Sequence, residues 1–176
     1  MRKVVLTFGL IAGAILSAMM LLTLPFQDQI GFDKGAVIGY TTMVLAFMMV
    51  FFGVKSYRDN VAGGSVTFGR ALKVGLLITA VTTVCYVATW EVVYYRLAPD
   101  FVEKYAAHAI EKAKKSGATD AQIAAQTKQM AEYSEMYKNP LVNIALTLLE
   151  PLPVGIPFAL VTAAVLSRKR RAAVAA

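Results

Sequence analysis

Two carboxylates stand inside otherwise apolar runs: Glu91 near the end of VGLLITAVTTVCYVATWEVVYY, and Glu150 within LVNIALTLLEPLPVGIPFALVTAAVL. A charged side chain costs about 2.5–3.5 kcal/mol at the centre of a bilayer, so such acids either lie near an interface or serve a purpose. Measured from the basic ends of their runs, Glu91 lies roughly 17 residues in and Glu150 roughly 16, which at ~1.5 Å per residue places both at a similar depth, about 25 Å from that boundary. In one reading they are interfacial acids, hydrated or paired with Arg96 or Lys138. In the other they form an outward-facing acidic pocket, bordered by Trp90, Tyr94 and the backbone bent by Pro151, Pro153 and Pro157. Such a pocket would receive a cation, a proton or a cationic ligand. Contact between the two acids would let them share one proton or cation. Against contact, Glu91 lies about 200° around its helix from Thr89 at ~100° per residue. Thr89 closes a stripe of hydroxyls, Thr79, Thr82, Tyr86 and Thr89, suited to hydrogen bonds between helices.

No other constellation carries chemistry. HExxH, GxSxG, P-loop and dinucleotide fingerprints are absent, and a single histidine, His108, cannot build a multi-histidine metal site. A conventional enzyme is therefore not expected, nor a cofactor. His108 lies among charges and reads as a solvated surface residue. Cys85, the only cysteine, leaves no intrachain disulfide and reads as a small packed side chain.

The elements that must position the acids are membrane helices. The chain is 57% hydrophobic with a mean hydropathy of +0.57, above the ~45–50% apolar usage of soluble domains. The net charge of +7 sits beside hydrophobic runs rather than in one patch, which fits membrane orientation and excludes nucleic acid as the expected partner. Spans are expected at about 4–26, 35–54, 74–95 and 147–166, the first being too long for a cleaved signal peptide. Gly9, Gly13 and Ser17, then Gly35 and Gly39, then Gly155, Ala159 and Ala163 recur every four residues and should let helices approach closely.

Two polar connections separate the first three spans: a short turn over Gln27–Lys34, and a basic loop over Gly53–Lys73 broken at Gly63–Gly64–Ser65. The long polar stretch 98–139 reads as a helical hairpin outside the membrane. Asp100 with Glu103 and Thr119 with Gln122 give capping-box starts, Gly117 a left-handed stop, and Asn139–Pro140 the end. Val102, Tyr105, Ala109 and Ala113 share one face of its first helix, and Ile123, Met130, Tyr133 and Tyr137 one face of its second. With both termini inside, Arg2, Lys3, Lys55, Arg58, Arg70, Lys73 and the terminal run Arg168–Lys169–Arg170–Arg171 oppose the single acid Asp59, while the outer segments balance acids against bases. The positive-inside rule is thus met by an all-α integral membrane protein: a bundle of four transmembrane helices with an extramembrane hairpin between spans three and four.

The loop RDNVAGGSVTFGRALKVG, the sequence LAPDFVEKY after the third span and the closing EPLPVG and LSRKR together resemble DUF4199, a family of small four-span bacterial membrane proteins of unknown function. The resemblance runs from Lys3 to about Arg170 and rests most on Arg58, Gly64, Phe68, Gly75, Pro99, Phe101, Pro153 and Gly155. It implies a bacterial inner membrane location, its motifs carry no established catalytic role, and it leaves the activity open. The expected function is a non-enzymatic scaffold or accessory subunit with the bilayer, a membrane protein or a second copy as partner. A small transporter or channel component with an outward-facing acidic site is the alternative, and a membrane-embedded enzyme the third.

Overall fold

Glycine marks the reversals of the chain. The computed structural model describes residues 1–167, and every element among them is a helix or a turn. Helix α1 (Arg2–Thr23) tightens into a 3₁₀ turn over Leu24–Phe26, where Pro25 fixes φ, and the chain resumes as α2 (Gln27–Asn60). Its direction changes only at Gly31, with φ 73° and ψ 164°, a region open to glycine alone. The turn expected over Gln27–Lys34 is therefore one residue wide. Likewise α2 runs on to Asn60 and α3 starts at Phe68, ending at Val92, so the expected loop Gly53–Lys73 shrinks to residues 61–67. Gly63 (φ 70°) and Gly64 (φ 86°) make that reversal. Arg58, Arg70 and Lys73 sit on helix ends, with Arg58 2.7 Å from Asp59. Polar residues end the apolar layer, not the helix, because a helix can project beyond it.

Among the described residues four segments are long and apolar enough to cross a membrane: Arg2–Ile30, Phe32–Asn60, Phe68–Leu97 and Pro140–Leu166. The protein is a helical, multi-pass membrane protein. The third segment closes in a π-helical turn over Val93–Leu97. The fourth starts well before 147, as α6 (Pro140–Leu149), breaks at Glu150–Pro151, and continues as α7 (Leu152–Leu166) through Pro157. The terminal run Arg168–Arg171 lies outside the described residues.

Small residues set the packing where lipid offers no hydrophobic drive. A Cβ on Gly9 would come within 2.7 Å of Val81, and one on Gly13 within 2.5 Å of Cys85. One turn further, Ser17 Oγ meets Thr89 Oγ1 at 2.7 Å. Gly155 is closed on by Thr79 and Phe47, while Gly75 lies against Ala159. The hydroxyl stripe of α3 works as expected: Thr82 donates to the Gly9 carbonyl at 3.3 Å and Thr79 to the Gly155 carbonyl at 3.5 Å. Phe47, Val50, Val74 and Ile78 fill the centre with no exposed surface.

Gly35 and Gly39 depart from this pattern. A Cβ at Gly39 would meet nothing within 4 Å, and one at Gly35 only the Gln27 amide. They leave space.

Between the third and fourth spans lie α4 (Phe101–Lys115) and α5 (Asp120–Tyr137), reversed at Gly117 with φ 78°. Thr119 and Gln122 form a reciprocal capping box. Asp100 does not: its side chain makes no cap hydrogen bond and instead lies 3.0 Å from Lys104 Nζ. Gln126 Nε2 donates to the Ala109 carbonyl, tying α5 to α4.

Candidate functional site

The break at Glu150–Pro151 opens the molecule at one end. Below it α7 packs on both α2 and α3; above it α6 packs on α3 and α5 and has no comparable contact with α2. The space left is a cavity of about 560 Å³, within the ~300–1,000 Å³ of small-molecule sites. Its floor is Met43, Thr42 and Leu16. One wall is the glycine-bearing face of α2, with Gly35 and Gly39; the opposite wall is Tyr86, Trp90 and Glu150. Residues of α4 and α5 line the rest of this half-open cavity: Phe101, Val102, Tyr105, Met130, Tyr133 and Tyr137.

Among the described residues, Glu150 is the only Asp, Glu, His, Lys or Arg on this lining. Tyr86 Oη donates to its Oε2 at 2.6 Å, reaching from α3 to the break in the fourth span. No ion pair to Glu150 occurs among the described residues. Lys138, a partner expected from sequence, lies 2.7 Å from Glu135 instead.

The surrounding polar groups come from residues spaced along helix faces. Asn143, Thr147 and Glu150 fall at i, i+4 and i+7, so an apparently apolar run carries an inward polar stripe. Asn143 and Thr147 are buried; Thr147 Oγ1 donates to Asn143 Oδ1 at 3.3 Å and lies 3.2 Å from Tyr137 Oη. Burial pushes the Tyr137 phenol up to about 12, helped by the Glu150 charge and opposed by Thr147, so it remains a neutral hydroxyl. Burial also raises Tyr133, again with Glu150 contributing. Trp90 Nε1 is buried and turned towards Tyr137 without closing a hydrogen bond of good geometry.

The aromatic rings interlock. Trp90 meets Phe101 edge-on at 5.0 Å and stacks with Tyr94 at 6.4 Å, while Tyr137 packs on Tyr94 and Tyr133 at 5.4 Å each. Tyr94 thus supports the site from behind. Arg96 is exposed within the π-helical turn.

Glu91 is not at this wall. Five residues after Tyr86, it is turned about 140° from it at ~100° per residue. Its Oε1 is buried without a hydrogen-bond partner. The expected pair of acids is replaced by Glu150 with Tyr86, a residue already in the hydroxyl stripe.

His108 departs from the solvated reading. Its ring lies 5.3 Å from Phe32 and its Nε2 3.7 Å from Asp33 Oδ2. Lys112 Nζ donates to Asp33 Oδ1 at 2.6 Å, and Phe32 also meets Phe101 and Tyr105 at 5.4 and 5.6 Å. These contacts seat α4 on the Gly31 reversal, over the cavity.

A model of a family described as proteins of unknown function, DUF4199, matches residues 7–168. The chain belongs to the DUF4199 family. No curated protein and no solved structure matches it. Of the positions that carried the family resemblance, Gly75 and Gly155 hold the spans together and Phe101 lines the cavity of this DUF4199 protein. Tyr40 gave no warning as a lining residue, and Tyr105 and Tyr133 were read only as members of the hairpin's helix faces. The available signals were the i, i+4 pairs Tyr86–Trp90 and Tyr133–Tyr137, and the polar stripe ending at Glu150.

Proposed function

We propose that this protein is a non-enzymatic, multi-pass protein of the bacterial inner membrane that binds a small membrane-partitioned molecule, as a transporter component or receptor. The observation that carries this reading is the cavity of about 560 Å³ walled by all four membrane segments and by α4 and α5. Its surface is mainly apolar with a few converging polar groups, the pattern of ligand sites. Met19, Met20, Met43 and Met130 line it, and their flexible thioethers suit a wall that adapts to more than one ligand. The hairpin of α4 and α5 lies outside the membrane in this reading and forms the cavity's cover.

A scaffold or accessory role has less to support it. Exposed apolar residues such as Val37, Val84 and Val161 are what lipid-facing positions on any spanning helix require.

Gly39 provides the test. A Cβ there meets nothing within 4 Å, so Gly39→Phe fills the cavity while leaving helix packing intact. The neutral fluorophore N-phenyl-1-naphthylamine should bind purified full-length protein saturably, and Gly39→Phe should reduce its affinity by about tenfold or more. Equal binding by both proteins would remove the cavity as the binding site.

A further inference from the structure

We propose that the cavity selects a monovalent lipophilic organic cation, held with its charge against Glu150 and its apolar body among the aromatic walls. This inference rests on the cavity-binding reading and adds the chemical class of the ligand.

Charge decides the sign. Among the described residues Glu150 is the only carboxylate on the lining and no Lys, Arg or His stands there, while the tyrosines and Trp90 present hydroxyl, ring and N–H groups that carry no compensating positive charge. Tyr86 fixes Oε2 at 2.6 Å, which orients the carboxylate without neutralising it. Glu150 is exposed on this lining and has no ion pair among the described residues, so a cationic ligand can reach the carboxylate and supply an opposite charge.

The walls decide the kind of cation. Hard metal ions take several oxygen ligands, whereas a single carboxylate stands here and no cluster of three or more His, Cys, Asp or Glu suited to a metal occurs among the described residues. A polyamine would bring several charges to one acid. A proton needs no chamber of about 560 Å³. Aromatic faces around a cavity attract a soft, poorly hydrated cation through their quadrupoles. Trp90, Tyr86, Tyr133, Tyr137, Tyr105 and Phe101 provide such rings.

The experiment compares two ions of the same shape and opposite charge. Tetraphenylphosphonium and tetraphenylborate compete with bound N-phenyl-1-naphthylamine on the full-length protein in mild detergent. The cation is expected to displace the probe at roughly tenfold or lower concentration than the anion. Glu150→Gln should remove that preference while still binding the neutral probe, which shows the variant is folded. Glu91→Gln, off the cavity wall, should keep it. Equal potency of the two ions on a wild-type protein that binds the probe overturns the cation assignment and leaves the cavity reading intact. A preference that survives Glu150→Gln also overturns it. Loss of cavity binding itself shows separately, as probe binding indifferent to Gly39→Phe.

Discussion

Tyr86 decides what kind of group Glu150 is. A carboxylate beside a second carboxylate shares a proton, whereas one beside a phenol accepts a hydrogen bond and is oriented by it. The sequence offers a position along the span for both acids, because ~1.5 Å per residue converts residue number to height. Azimuth was legible too: the offset of about 200° between Glu91 and the hydroxyl stripe already set that acid apart. The bend at Glu150–Pro151 was expected from the prolines; what the sequence did not show was where it turns the polar stripe of α6. Cysteine pairs in a Cys85→Ala background check the assignment. Ser17→Cys with Thr89→Cys, replacing hydroxyls 2.7 Å apart, should cross-link efficiently under mild oxidation. Glu91→Cys with Glu150→Cys should not, and efficient closure of that second pair would return Glu91 to the site.

Among the elements, α4 is the one whose placement follows from side chains rather than from chain connection. Two kinds of contact hold it on the Gly31 reversal. The ions are exposed: Lys112 and Asp33 retain 59% and 62% of their side-chain surface, and the Lys104–Asp28 separation is 3.9 Å. Pairs of that sort contribute little, because water and salt screen them and two long side chains must be ordered. Phe32 instead meets Phe101, Tyr105 and His108 within 5.6 Å, and aromatic pairs contribute about 0.5–1.5 kcal/mol each beyond area burial. Phe32→Ala should therefore loosen α4 more than Asp33→Asn does. In hydrogen exchange, α4 amides of Phe32→Ala should exchange about tenfold faster or more, with less than about fivefold change for Asp33→Asn. A larger effect of Asp33→Asn would mean that charge seats the cover. The hairpin's helices were legible from Gly117 and the Thr119–Gln122 box, both of which depend on a few neighbouring residues. Its seat was not, since Phe32 and Phe101 are far apart in the chain and neither lies on an apolar stripe long enough to signal a partner.

For the whole molecule, orientation determines which solution the cavity answers to. The end bearing residues 61–67 carries Lys55, Arg58, Arg70 and Lys73 beside the helix ends, with Arg2 and Lys3 at the start of α1. The opposite end balances Lys104, Lys112, Lys115 and Lys138 against Asp100, Asp33, Glu111 and Glu135, each within 3.0 Å. Basic residues that remain in excess near span ends are retained in the cytoplasm. Alkaline phosphatase fused at Gly117 should therefore be active and at Gly63 inactive, with a cytoplasmic fluorescent reporter giving the reverse. In that orientation Glu150 lies below the outer interface, and a cation reaching it from outside travels part of the way down a membrane potential that is negative inside. Full transfer of one charge is worth about 2.3 kcal/mol per 100 mV, so even partial penetration strengthens cation binding in an energised cell. Phosphatase activity at Gly63 would reverse the geometry: the same carboxylate would then draw cations from the cytoplasm and bind them against the field.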